Sequence, residues 1–281
     1  MSGLRLVQLK EGIIYGPVAS RRLGRSLGIN VLGAGRKVCT FDCVYCQLRQ
    51  PRAYAIAYTA VEHSACGRRC AGCHYAQPWP ADKETAHELP SVGAILAAVD
   101  EAVAANPALD SLTLSGNGEP SVYPEFTELV TGLAALRDRA CPGVPLTILS
   151  NSSTLWRPAV RRAFSHLDRR IMKLDAGDEN TFRRTNRPCP GVQFGEVLEG
   201  VRSLGAVTVQ TLLVDGSSGN AAPDRVASWL DALAALRPRE VQLYSLDRVP
   251  TDGTLAVVPR ERLATLAADV ARRTGADVRV Y

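Results

Sequence analysis

From about residue 91 onward the chain alternates between two patterns. Short apolar runs at residues 112–114, 146–149, 171–174, 207–214, 241–246 and 278–280 predict β-strands. Between them lie longer stretches in which apolar residues return every three or four positions. These predict helices near 91–105, 123–137, 156–166, 194–204, 226–236 and 259–273. Ser91 is placed to cap the first helix, and Asn106-Pro107 to end it. Strands separated by helices of this length form βαβ units, whose right-handed crossovers lay the strands parallel in one sheet. The expected fold class is α/β, with the sheet curled into a full or partial barrel. Ligands in such a fold sit at the C-terminal ends of the strands. That rule singles out residues 115–120, 150–151, 173–176, 214–215 and 244–247.

The stretch from Gln47 to Leu89 breaks the rhythm. It is irregular and rich in Cys, His and Pro, and a loop of that length inside a domain is usually functional. The chain has 281 residues, 46% of them hydrophobic, enough for one large α/β domain with a full core. Thirty-three Lys and Arg against 28 Asp and Glu leave a net charge of +5. That mild excess suits an anionic substrate or a nucleic acid, and equally an ordinary soluble surface. Arg21, Arg22 and Arg25 form a local basic cluster close to the first cysteines. Residues 1–12 hold no apolar core of signal-peptide length, and no apolar run approaches the roughly 18 residues of a membrane span. The expectation is a cytoplasmic protein with no membrane partner. Eight cysteines in a reducing compartment are metal ligands or free thiols before they are disulfides.

Cys39, Cys43 and Cys46 form a C-x₃-C-x₂-C triplet. Three thiolates on one short loop can bind three irons of a [4Fe–4S] cube and leave the fourth iron open. An incomplete zinc knuckle and three unrelated thiols are the alternatives. The turn Ser115-Gly-Asn-Gly-Glu-Pro120 follows the first strand after these cysteines, and Ser150-Asn151 ends the next. Glycines suit a turn where the backbone must approach a ligand closely. By pattern alone, the first is also a plain βα turn and the second also a helix cap. Lys173 and Asp175 end a strand and face the predicted cavity, where unpaired charge is costly. They contact a ligand there, or they pair with each other.

The triplet, with Tyr45 before its third cysteine, resembles the radical S-adenosylmethionine (SAM) superfamily motif. Four further stretches extend the likeness: the run from Tyr15 to Asn30, and the pieces Lys173-Leu-Asp-Ala176, Asn186-Arg-Pro188 and Val209-Gln-Thr211. Together they are similar to the radical SAM family related to the tRNA wyosine-base synthases, from Tyr15 to about Tyr244. The resemblance implies a partial (β/α)6 barrel with a [4Fe–4S] cluster and SAM at its open top. It implies that Tyr45 packs near the adenine, and that Asn117, Gly118 and Glu119 meet the methionine amino group. Ser150 and Asn151 would approach the ribose, with Lys173 and Asp175 as catalytic candidates. Reductive cleavage of SAM to a 5′-deoxyadenosyl radical follows, then hydrogen abstraction from substrate.

Cys66, Cys70 and Cys73 repeat the C-x₃-C-x₂-C spacing within the irregular stretch. They predict a second [4Fe–4S] cluster, or a zinc site completed by His63 or His74. The fourth position of a cluster falls to His63, His74, Cys141, Cys189 or the substrate, Cys189 being the better thiol because it sits in a loop. Such a cluster would anchor substrate, relay an electron or donate sulfur. The whole reads as one radical SAM domain over residues 1–281. Its core covers about 13–250, its cysteine-rich insertion about 53–89, and its terminal helix and strand about 259–281. The expected partners are a small-molecule, peptide or RNA substrate and an external flavodoxin- or ferredoxin-type electron donor. Two alternatives stand: a wyosine-type tRNA-base modifying enzyme, and a non-catalytic zinc or iron–sulfur binding protein.

Overall fold

A computed structural model of the chain describes residues 9–33, 37–48, 89–247 and 253–281. The second cysteine triplet, with His63 and His74, lies outside the described residues. The chain opens with a hairpin, β1 (Ile14–Ser20) and β2 (Gly24–Ile29). After the cysteine loop come α1 (Val92–Ala105), β3 (Ser111–Leu114), α2 (Phe126–Ala140), β4 (Leu146–Ser150), α3 (Pro158–Ala163) and β5 (Arg169–Lys173). Two helices, α4 (Glu179–Asn186) and α5 (Phe194–Ser203), lead to β6 (Thr208–Leu212) and the two-residue β7 (Val214–Asp215). The chain closes with α6 (Pro223–Leu236), β8 (Glu240–Tyr244), β9 (Ala256–Val257), α7 (Arg260–Thr274) and β10 (Asp277–Val280).

Among the described residues, the main sheet runs β1-β2-β3-β4-β5-β6-β8-β10. Only β1 is antiparallel to its neighbour; every other pair is parallel. Strands β2, β3, β4, β5, β6 and β8 form the six-stranded unit of a partial barrel, and β1 and β10 extend its two edges. The helix starts follow local chemistry. Ser91 caps α1 by accepting from the Ala94 N–H, and Asp178 caps α4 by accepting from Thr181. Proline opens α3 and α6, where its missing N–H has no partner to lose. No described helix is long and apolar enough to cross a membrane.

The strand register sorts the side chains into two faces. Leu27, Ile29, Leu112, Leu114, Ile148, Val209, Val241 and Leu243 are buried on one face, in a cluster with helix residues such as Ile95, Leu129, Leu133, Trp229 and Val270. The opposite face is polar. Ser26 bonds to Thr113, Ser111 to Thr113 and Thr147, Gln210 to Gln242, and Tyr244 to Gln210. Tyr15 lies on this face too. Its ring covers Gly28 so closely that a Cβ there would come 2.1 Å from a ring carbon, and its hydroxyl meets that of Ser115. The turn between β1 and β2 carries Arg21 to Asp247. It also lays the Arg22 guanidinium over the rings of Tyr244 and Tyr281, 4.5 and 5.8 Å from their centroids. These contacts join the first hairpin to the ends of β8 and β10, so the sheet curls and its polar face becomes a lumen.

The predicted strand at 207–214 divides into β6 and β7. The Asn220 side chain binds the Val214 N–H and the Leu212 carbonyl, and draws the chain out of the sheet.

Candidate active site

The first cysteine loop is fastened on two sides. On one, Val38 pairs with Gly118: the Val38 N–H donates to the Asn117 carbonyl at 2.8 Å and the Glu119 N–H to the Val38 carbonyl at 2.9 Å. On the other, the Asp42 N–H donates to Arg187, Val44 to Thr185 and Cys189 to the Thr40 carbonyl. Phe41 packs edge-on against Phe182 of α4, with centroids 5.2 Å apart. The loop is thus clamped between the turn after β3 and the segment that ends α4. That gives a physical role to Asn186-Arg187-Pro188. Asn117 holds the turn itself, donating from Nδ2 to the Lys10 and Gly33 carbonyls and accepting from the Lys10 N–H.

Cys43 is buried, and Cys39 and Cys46 are partly so. N–H groups point at two of the three sulfurs. Phe41 N and Asn151 Nδ2 point at Cys39 Sγ from 3.4 and 3.5 Å, and Asn186 Nδ2 at Cys43 Sγ from 3.5 Å. Lys37 lies beside them, its side chain 2% exposed and 3.2 Å from Asp42. Burial alone would lower its pKa. The negative charge of the three cysteines as thiolates, with that of Asp42, outweighs this and holds it raised. Burial pushes the Cys39 and Cys43 thiols up, and the ammonium groups of Lys37 and Lys173 respectively pull them back. N–H donors on two of the cysteines and a buried cation beside all three suit the sulfurs of a cluster. Among the described residues, no three His, Cys, Asp or Glu side chains gather as a single metal ion would need. A cubane makes a different demand, since each thiolate takes its own iron.

Glu119 sits next to this loop, 2% exposed. Its carboxylate accepts from the Ser121 N–H and hydroxyl, the Ser150 hydroxyl and the Asn151 N–H. Burial raises its pKa, and those four donors draw it back. Asn151 continues to Thr40 and Cys39, and Thr40 meets Ser153, so the end of β4 is tied to the cysteine loop. Ser152 is a residue that the pattern did not single out. It has φ +70° and a buried hydroxyl with no hydrogen-bond partner among the described residues. A non-glycine residue in the left-handed region is the kind of strain that collects at functional sites.

At the end of β5, Asp175 collects the Tyr45 hydroxyl, Asn186 Nδ2 at 2.8 Å and the Leu212 N–H at 2.9 Å. Lys173 Nζ stands 3.4 Å from the same carboxylate and 4.8 Å from the centroid of the Tyr45 ring. Burial would lower the Lys173 pKa, but Asp175, with Tyr244 and Cys43, holds it raised. The two charges pair, and the pair is anchored to the cysteine loop through Tyr45. Replacing Asp175 with Ala strands a buried ammonium and several buried donors. The expected loss is roughly 3–5 kcal/mol of folding stability, read as a fall in the urea midpoint. Adding Lys173→Met should recover part of it. A single-variant cost under about 1 kcal/mol would contradict this account.

The same segment places Cys189 against the first cysteine loop, 6% exposed. Burial pushes its thiol up from the ordinary 9.0 to about 11, with Lys37 opposing and Asp42 reinforcing the rise. Only the thiolate alkylates. Iodoacetamide labelling of Cys189 at neutral pH should therefore be roughly a hundredfold slower in the folded protein than in urea, rising about tenfold per pH unit toward pH 10. Equal rates in the two states would contradict it.

A family model described as the radical SAM superfamily matches residues 63–218. A UPF0026 protein of Synechocystis sp. is 30% identical over 239 residues, covering 82% of this chain and 74% of that one. The chain belongs to the radical SAM superfamily, in its UPF0026 group. Among solved structures, Streptococcus suis SuiB bound to S-adenosylmethionine superposes with a TM-score of 0.56 at 10% identity, over 88% of this chain. The match covers 48% of SuiB, so this chain spans about half its length. TYW1 with a lysine–pyruvate adduct bound superposes with a TM-score of 0.54 at 14% identity, over 89% of this chain and 74% of that one. At such identities the likeness is one of fold. Radical SAM membership indicates an enzyme that uses a [4Fe–4S] cluster and SAM, and needs an electron donor and a substrate. The matched interval takes in the Glu119 turn, the end of β4 and Lys173–Asp175. It also takes in the second triplet and begins after the first.

Proposed function

We propose that this radical SAM enzyme cleaves SAM at Cys39, Cys43 and Cys46, and that Cys66, Cys70 and Cys73 hold a second cluster that assists. The Val38–Gly118 pairing carries this reading, because it sets the first cysteine loop against the Glu119 turn. When bound by the three thiolates, a [4Fe–4S] cluster supplies one electron to the SAM sulfonium, yielding methionine and a 5′-deoxyadenosyl radical.

The chain's own residues then have separable tasks. Gly118 and Glu119 receive the methionine amino group, with Asn117 holding their turn in place. Asn151 and Ser150 bridge Glu119 to the ribose side. Tyr45 presents its ring to the adenine and, through Asp175, fixes where Lys173 stands at the lumen mouth. The lumen would hold the substrate C–H bond within reach of that radical, and its walls would keep other C–H bonds away.

The test is anaerobic reconstitution of the whole chain with iron and sulfide, then metal analysis and a 5′-deoxyadenosine assay with dithionite. About eight irons per chain is the expected content for two cubes. About four irons and one zinc would convert the second site to zinc. No iron, or no 5′-deoxyadenosine, would sink the reading and leave a non-catalytic metal-binding protein. The sequence resemblance to the tRNA wyosine-base synthases and the net charge of +5 raise an RNA base as substrate. Under that reading, 5′-deoxyadenosine release would rise when tRNA is added.

A further inference from the structure

Among the described residues, three cations on the lumen side each lie over a tyrosine ring. Lys10 Nζ is 4.7 Å from the centroid of Tyr15, Arg22 4.5 Å from that of Tyr244, and Lys173 4.8 Å from that of Tyr45. Lys173 is neutralised by Asp175. Arg22 is not: among the described residues it has no carboxylate partner, and its Nη1 is buried with no hydrogen-bond acceptor. Its neighbour Arg21 is the contrast, paired outward with Asp247 where both side chains are more than half exposed. A ring face attracts a guanidinium but accepts nothing from the N–H fork along its edge. A buried N–H left in that state is costly, and an oxyanion satisfies two of the guanidinium's donors at once.

We propose that the lumen is a substrate chamber in which Arg22 receives a carboxylate or phosphate of a small-molecule substrate. This deepens the functional reading above and rests on it for one point only, that the lumen is where the reaction occurs. The position suits the task. Tyr244, beneath Arg22, donates its hydroxyl to Gln210, and Gln210 is the register partner of Lys173. The anion site is therefore continuous with the Lys173–Tyr45 contact at the cysteine loop. A half-buried arginine with Nη1 fully covered also favours a small anion over a polymer, whose phosphates are met by exposed side chains on an outer surface.

The test uses the full chain, reconstituted anaerobically and loaded with SAM. Inorganic phosphate and succinate are titrated separately by calorimetry, so that the two anion chemistries are told apart. Saturable binding of at least one is expected, weakened tenfold or more by Arg22→Gln and less by Arg22→Lys. Melting curves check that the variants fold. Should Arg22→Gln fail to fold, phenylglyoxal footprinting of the wild-type chain takes its place. The bound anion should slow modification of Arg22 at least fivefold. The proposal is overturned if neither anion binds, if Arg22→Gln binds as the wild type does, or if Arg22 is protected by an RNA oligonucleotide alone. Wild-type SAM cleavage is measured alongside. Anion binding without cleavage would sink the functional reading and leave this site standing, and cleavage without anion binding would do the reverse.

Discussion

Replacing Cys39, Cys43 and Cys46 together with Ala is expected to remove about four irons per chain and reduce 5′-deoxyadenosine formation to background. Replacing Cys66, Cys70 and Cys73 should also remove about four irons but leave SAM cleavage in place, while turnover of the true substrate stops. The two triplets have the same spacing, so spacing alone does not choose between them. The matched interval of the superfamily model even begins after the first triplet and includes the second. The choice rests on surroundings. The first triplet has N–H donors on two of its sulfurs, the buried Lys37 ammonium at its side and the Glu119 carboxylate one hydrogen-bonded turn away. A SAM site needs that company, because the nucleotide's amino and carboxylate groups must be held where the open iron is. The opposite result, with cleavage lost only on changing the second triplet, would reverse the assignment and make the loop at 39–46 the auxiliary site.

Much of this architecture could be read from the chain. Alternate apolar positions such as Leu112 and Leu114, or Val241 and Leu243, sit on the helix-covered face and declare themselves by pattern. The parallel order follows from the helices between them. The first hairpin was not legible as strands. Tyr15-Gly-Pro and the arginines at its turn break the alternation, and its partners, Tyr244 and Asp247, lie more than two hundred residues away. The helix α4 was missed for a related reason. It is short and polar, and Phe182 is its one large apolar residue, packed on Phe41 of the cysteine loop.

The site divides in the same way. Cysteine spacing and strand-end position pointed to Cys39, Glu119, Asn151 and Asp175. The structure gathers these at one end of the sheet, linked through Tyr45, Thr40 and Asn186. Lys37 and Ser152 carry no sequence signal. A lysine before a cysteine is ordinary until the fold buries it, and a serine reveals a positive φ only in the folded backbone. Cys189, read as a ligand candidate for the second triplet, lies against the first loop.

Gly118→Ala is expected to break the docking on which the assignment of the first triplet depends. Gly118 has φ +145°, a region that L side chains rarely adopt, and a Cβ there would stand 1.7 Å from the Val38 carbonyl oxygen. The backbone strain costs about 1–3 kcal/mol, and the overlap costs a further 1–3 kcal/mol or so unless the two segments part. Parting is the cheaper route, since it surrenders only the Val38 pair. The loop would then lose its register against Glu119 while the sheet stays folded. The variant should keep its far-ultraviolet circular dichroism, melt earlier and, after reconstitution, fail to retain about four irons and fail to cleave SAM. Gly143→Ala is the control: Gly143 also has positive φ, +89°, but a Cβ there meets nothing within 4 Å. It should carry the backbone cost alone and keep its iron. If Gly118→Ala reconstitutes and cleaves SAM like the wild type, the turn after β3 does not hold the cysteine loop, and the reason for preferring the first triplet over the second is gone.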